Sequence, residues 1–512
     1  MKRKMKPVIL TLFILIALTA GGYFLLANKE SGPTGEFQKR MEEDQKDLHS
    51  DRAYRYDIST RSTVLATSGD GKNVLNFNQK NVYNVANSNA ARERLDRLIK
   101  RTDATFENPI IALNPFGTNA NSLYFYFDTS YRCMVRYTIT VEEEAVSDHI
   151  RYINNGQENN LSKNHEFVVS GMIPGRKNYI VMELLDTTGA KREEKIYEYA
   201  VPGCDLPVRI SMQEGHSKET AGTGLYFTFP SGKNVIAAYD NQGVLRNQTV
   251  TESGHGTRLC RSIDSILYQV SDTKVVKVSS LGRVTAVVQI KGYGKIKEFS
   301  YDGYGEVYSI GTKKGRDYLL ASSFETGKTR VVYKFKKKIQ VSSLGTPQGG
   351  DLCLIAANPP GIIYMDAITS AEPKIANVLG KKSDWKKIIN KKKVITDKKA
   401  GVWNTTQSVI VPSEENTDRQ SMLVEKDGKP TALEWQTDFK GKKANVIFSC
   451  ETAGGVKGPV QIQGEHYIQS DLSNGNFSEM DKKNKVIRQF SYGAPLDAVI
   501  KYALGGMSFY GV

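Results

Sequence analysis

The N-terminus pairs a block of positive charge with a wholly apolar run. Lys2, Arg3, Lys4 and Lys6 precede residues 8–27 (VILTLFILIALTAGGYFLLA), which carry no charge. About 20 apolar residues at 1.5 Å rise span the roughly 30 Å hydrocarbon layer of a bilayer. Basic residues before the span and a long polar chain after it predict a cytoplasmic N-terminus and an extracellular body. A cleaved signal would end at a small-x-small site. Leu18-Thr19-Ala20 puts Leu where a small residue belongs, and no Cys follows the span to accept a lipid. The expectation is a single-pass cell-membrane protein whose residues 1–28 are a cytoplasmic basic tip and an uncleaved transmembrane anchor.

Residues 29–105 read as a juxtamembrane stalk and helical linker. The stretch 36–51 is charged and helix-compatible, and 54–85 alternates weakly around Ser68-Gly69-Asp70-Gly71, a hairpin signal. Residues 89–101 (NAARERLDRLIKR) begin on a capping Asn and space Ala91, Leu95, Leu98 and Ile99 as one face of a short helix.

The period then changes from helical to alternating. Runs at 122–128, 134–141, 165–169 and 179–185 are separated by polar turns such as Pro174-Gly175-Arg176-Lys177-Asn178. Short strands between turn signals predict a small β-sandwich over 106–203, ending at Val201-Pro202-Gly203. From Cys204 onward one pattern recurs: an apolar strand, a turn with Gly or Asn, then β-branched residues. It falls at residues 238–244, 278–284 and 323–329, with a weaker copy at 480–486. The first three copies are about 40–45 residues apart, the period of a four-stranded propeller blade. Residues 204–512 would then form a six-bladed β-propeller, which leaves few open strand edges. The fold class expected is all-β: a propeller preceded by a small β-sandwich.

Composition sharpens some of this. The five cysteines (Cys133, Cys204, Cys260, Cys353, Cys450) are scattered and odd in number, with no C-x-x-C. That excludes a disulfide-dense scaffold and a zinc ribbon, and leaves one distant bridge, such as Cys133 with Cys204, open beside buried thiols. The formal charge is +15, with its densest run at Lys381, Lys382, Lys386, Lys387, Lys391, Lys392, Lys393, Lys398 and Lys399. Only Trp385 is interleaved there, so no nucleic-acid partner is expected. The run reads as a solvated face or as an electrostatic footprint for anionic envelope polymers or lipid headgroups. No His/Asp/Glu spacing suggests a metal, no phosphate loop or Gly-x-Ser-x-Gly is present, and no cofactor is implied.

Several stretches resemble the bacterial arylsulfate sulfotransferases. These are Glu107-Asn108-Pro109-Ile110-Ile111-Ala112-Leu113-Asn114-Pro115-Phe116-Gly117, Gly171-Met172-Ile173-Pro174-Gly175-Arg176, Tyr239-Asp240-Asn241-Gln242-Gly243-Val244-Leu245-Arg246, Leu281-Gly282-Arg283-Val284 and Val486-Ile487-Arg488-Gln489-Phe490. The resemblance implies a β-sandwich followed by a six-bladed propeller with its site at the centre. It also implies transfer of a sulfuryl group between phenolic esters and phenols through a nucleophilic histidine, assisted by further histidines and an arginine. Homodimers occur in the resembled family, so a homodimer is an expectation here.

The same alignment places other residues where the family has its catalytic set. The His-His-Asp stretch falls on Ile296-Lys297-Glu298, the His-x-Asn stretch near Val341-Ser342-Ser343, and its following Arg near Asn358. The Gln-His-Thr stretch falls near Thr406-Gln407-Ser408, and the first-blade histidine near Thr257. The chain's six histidines are His49, His149, His165, His216, His255 and His466, and none lies between the last two. The leading expectation is therefore a catalytically degenerate relative that binds a ligand or partner (a phenolic sulfate, a glycan or an anionic envelope polymer) through the old central site. Lys297, Asn358, Trp403 and Gln407 would line it. Two alternatives remain open: an active sulfotransferase with an altered nucleophile, such as His255 or a desolvated lysine, and a structural envelope scaffold.

Overall fold

The computed structural model describes residues 62–502 except 68–70, 144–145, 154–160, 223, 263, 346–350, 367–371, 391–392, 396–402, 405–410, 413–418, 427–428, 439–442 and 453–459, together with Gly35. The expected anchor and the stalk at 36–51 lie outside the described residues. No helix among the described residues is long and apolar enough to cross a membrane.

The strand Leu123–Thr140 organises the N-terminal domain. Its first half pairs with Ile110–Leu113 and Ser162–Val169, and its second half with Lys177–Leu185 and His149–Tyr152. Hydrogen bonding therefore runs through one nine-stranded network rather than two unconnected sheets. Phe125, Phe167, Tyr137, Met182 and Tyr197 fill the core on its inner face. Thr63–Ala66 adds to the edge strand Lys191–Ala200. The expected hairpin turn falls on residues 68–70, outside the described residues, and the flanking Leu65–Ala66 and Lys72–Asn73 pair in parallel rather than antiparallel.

The helix expected at 89–101 is longer. Helix α1 runs Val85–Arg101, capped by the Asn84 side chain, which accepts from the amides of Ala86 and Asn87. An Asn before the first turn satisfies two amides that have no helical partner. Asn89, the cap expected from sequence, lies inside the helix and instead accepts from Arg283 at 2.8 Å. Ser88 accepts from the Val284 amide at 2.9 Å, so α1 binds the propeller on one side while Arg92 pairs with Glu166 of the N-terminal domain on the other. The linker segment from Thr63 to Arg101 is thus built into the body.

Six sheets follow as propeller blades, three of four strands and three of five. Blade 1 is closed by the last strand, Leu496–Tyr502, which pairs with Leu225–Pro230 and forms the innermost strand of that blade. Its main chain is gripped from blade 6 by the Gln461 amide, which accepts from the Lys501 N–H and donates to the Lys501 carbonyl. Blades 2, 3 and 4 begin with inner strands Leu259–Arg261, Glu298–Tyr301 and Gln340–Leu344. Blade 5 has Trp403–Asn404 and Val411–Pro412 beside Arg419–Lys426, and blade 6 begins with Gln461–Gln463.

The repeated motif of the sequence marks the same turn in four blades, between the third and fourth strands. Gly243, Gly282 and Gly327 take positive φ there, and Asn484 does so in blade 6. In blades 1 and 6 the carboxylates of Asp240 and Asp481 accept from the amides two and four residues on, which closes the turn. Two of these turns also carry the N-terminal domain: Thr118 donates to the Gly282 carbonyl at 2.6 Å, and Gln242 Oε1 accepts from the Ser147 amide at 3.1 Å, while Arg246 on the next strand reaches the Ser147 carbonyl at 2.8 Å.

All five cysteines are free. The alternative of a Cys133–Cys204 bridge is excluded: Cys133 is buried 3.4 Å from the His165 ring, and Cys204 faces the Leu206 carbonyl.

Candidate functional site

The inner ends of blades 2, 3 and 4 bring several of the sequence-selected positions together. Lys297, just ahead of the inner strand of blade 3, donates to Asp317 Oδ2 at 2.8 Å and to the Val341 carbonyl of blade 4 at 3.1 Å. Asp317 is buried and also accepts from the Val341 amide and the Thr312 hydroxyl. Its carboxylate therefore fixes both the lysine and the start of the next inner strand. The Lys297 side chain stays about a third exposed, so its charge remains open to solvent. Gln340, the neighbour of Val341, pairs in register with Asn358, which is exposed at the end of its strand. Lys297, Val341 and Asn358 thus share one corner between blades 3 and 4. Trp403 lies on an inner strand of blade 5, and Gln407 lies outside the described residues.

Deeper in the centre is a network that sequence patterns do not single out. Arg258, one residue ahead of the inner strand of blade 2, pairs with Glu298 of blade 3 at 2.9 Å. The same guanidinium donates to the Ser343 hydroxyl at 3.3 Å and to the Leu344 carbonyl at 3.0 Å, both in blade 4. Blades 2 and 4 are not neighbours, and only near the axis do inner strands converge enough for one side chain to reach past an intervening blade. Arg258 therefore occupies the middle of the ring. Ser343 and Thr257 complete the contacts of the Glu298 carboxylate at 3.4 and 3.5 Å. Burial pushes the Glu298 carboxyl above its ordinary range, although Arg258 beside it pulls the other way. The only hint in sequence is that Thr257, Glu298 and Ser343 fall within or beside the aligned family stretches.

This arrangement has consequences for sulfuryl transfer. A nucleophilic imidazole needs a ring nitrogen free to attack. None of the described histidines belongs to the network. His255 sits nearest in sequence, but its two ring nitrogens lie 2.9 and 3.0 Å from the Gly256 and Pro230 carbonyls, and its ring packs on Phe229. His149 packs against Gly171, and His466 pairs with Glu479 at 2.8 Å. His165 is buried beside Cys133 and Thr129, where desolvation pulls its pKa down to about 4. His216 is exposed at the edge of blade 6, and His49 lies outside the described residues. No group of three or more His, Cys, Asp or Glu able to hold a metal occurs among the described residues.

Comparison with known proteins points to the N-terminal domain. A family model described as the arylsulfotransferase Ig-like domain matches residues 110–202. No curated protein matches the chain in sequence. Among solved structures, TolB from Acinetobacter baumannii is similar over 63% of this chain and 79% of its own, at 10% identity and a TM-score of 0.36. A putative 6-phosphogluconolactonase from Bacteroides uniformis is similar over 72% of this chain and 99% of its own, at 9% identity and a TM-score of 0.37.

Proposed function

We propose that this chain, an arylsulfotransferase-like protein by its Ig-like domain and six-blade propeller, is a catalytically silent, membrane-anchored member whose propeller centre binds an anionic ligand. The observation that carries the reading is the Arg258–Glu298–Ser343 network. Where the resemblance implies histidines that attack and protonate, a charge-balanced set of hydrogen bonds ties three blades together. A guanidinium that remains protonated, a buried carboxyl and a hydroxyl supply no nucleophile matched to a sulfate ester. Beside this network, at the inner ends of blades 3 and 4, Lys297 keeps an exposed ammonium held in place by Asp317, a site for an oxyanion such as a phenolic sulfate. An anchor formed by residues 8–27 would hold the propeller at the outer membrane surface.

The detergent-solubilised chain, mixed with 4-nitrophenyl sulfate and a phenol acceptor, tests this. Saturable binding by calorimetry with no nitrophenolate release above buffer is expected, and Lys297→Gln weakens binding by about tenfold. Release that depends on the protein and disappears in His255→Ala would establish the active alternative. Absence of both binding and release would leave a scaffold role.

A further inference from the structure

The positive charge of the chain is unevenly placed. Residues 328–399 hold sixteen Lys and Arg against five Asp and Glu, within a chain whose net charge is +15. Folding concentrates part of this excess. Lys336, Lys337 and Lys338 occupy the connection from blade 3 to blade 4. Lys381, Lys382, Lys386 and Lys387 lie in and beside the short helix α2 (Lys382–Trp385), which follows the fourth strand of blade 4, Lys374–Gly380. The two runs are remote in sequence, yet the Lys336 ammonium donates to the Ile388 carbonyl. Phe335 and Ile339 bracket the first run, Trp385 and Ile388 bracket Lys386 and Lys387, and all four anchors are buried in one core cluster. The buried apolar residues thus fix two rows of lysines side by side.

All seven lysines are exposed, and none has an ion-pair partner among the described residues. Asp384 is the single carboxylate within the two runs and accepts from Ser383 at 2.7 Å. So many unpaired ammonium groups on one rigid edge repel one another, and an anion with matching charge density removes that repulsion.

We propose that this edge of blade 4 docks a linear, phosphate-bearing polyanion. Ammonium groups act as point charges, so seven lysines and no arginine suit a repeating anionic chain better than one planar carboxylate. Two adjoining rows form a strip, which fits an extended polymer. Among the described residues, the exposed large apolar ones are Val64, Val250, Tyr304, Val331, Val446 and Ile447, and none lies in either run. A bilayer surface would call for apolar residues to insert there. Trp385 is fully buried, donating to the Pro360 carbonyl at 3.0 Å, so the strip offers no ring for base stacking.

The test uses the full chain in detergent and long-chain inorganic polyphosphate as the probe, with binding measured across a salt series. Binding that weakens linearly in log salt is expected. Lys336→Gln/Lys337→Gln/Lys338→Gln and Lys381→Gln/Lys382→Gln/Lys386→Gln/Lys387→Gln should each weaken it by about tenfold at low salt and reduce the salt slope. A control of equal charge change to the first set, Lys163→Gln/Lys218→Gln/Lys291→Gln, removes exposed lysines elsewhere and should change it by less than about threefold. All are surface substitutions, and an unchanged melting temperature verifies the fold. An equal loss in the control overturns the proposal, as does dependence on only one run. Binding to phosphatidylglycerol vesicles without binding to polyphosphate also overturns it, in favour of a membrane surface.

Discussion

Lys501, on the last described strand, places its ammonium 2.8 Å from Glu479 Oε2, and both side chains are almost wholly buried. The lysine belongs to the inner strand of blade 1 and the glutamate to the third strand of blade 6, so one ion pair joins the first and last blades of the ring. Tyr226 donates to the same carboxylate, and Asn241 accepts from the ammonium at 2.9 Å. The other carboxylate oxygen faces His466 and accepts from the Gly222 amide.

Removing one partner strands the other in the interior, which typically costs about 3–5 kcal/mol. Lys501→Met should lower stability by that order. Lys501→Met with Glu479→Leu should cost clearly less than the two single changes added together, because the stranded charge is gone. Urea denaturation of the four proteins of this cycle measures the coupling. Strict additivity would show that the pair does not close the ring.

His165 sets an acid limit on stability. Its folded pKa of about 4 lies below the free imidazole value of 6.5 because burial disfavours the cation. In this window the unfolded chain binds the proton that the folded chain refuses. Stability from this group is therefore complete above about pH 6.5 and is lost as pH falls towards 4, by about 3 kcal/mol at most. Denaturation at pH 7 and pH 4.5 should show the loss in the parent, and His165→Gln should flatten the difference.

Gly171 lies where the N-terminal domain meets blade 1. Its φ is +93°, and a Cβ there would fall 2.1 Å from the His149 ring. Its carbonyl also accepts from Arg246 at 3.4 Å. Gly171→Ala should destabilise the chain by about 2 kcal/mol or more, from strain and overpacking together. Thermal melting reads the loss, and limited proteolysis near residues 203–206 should accelerate if the domain junction loosens.

Trp385 anchors the basic edge. It is fully buried beneath Gly361 and Gly380, where a Cβ would come within 3.0 and 2.8 Å of its indole nitrogen. Trp385→Ala should cost about 3–5 kcal/mol by opening a cavity. It should also weaken polyphosphate binding with every lysine still present, because the strip loses its platform. Binding unchanged in a protein that still melts cooperatively would separate the lysines from that platform.

Much of the architecture is written in local pattern. Alternating runs and a turn repeated at blade spacing depend on neighbours in the chain, so the strands and the propeller are legible in the sequence itself. The turns at Gly243, Gly282, Gly327 and Asn484 show why: each needs a residue that tolerates positive φ at a fixed offset. The cap of α1 is ambiguous in sequence because Asn84 and Asn89 are both capping residues, and only contact with Arg283 reveals the role of the second. Glu298 and Ser343 are marked only by falling in the aligned stretches and Arg258 not at all, since nothing local says that an arginine of blade 2 will reach blade 4. The two lysine rows become one surface for the same reason. Sequence decides which residues form strands and which carry charge. Tertiary closure decides which of those charges meet, because a contact across the axis depends on the position of every blade between.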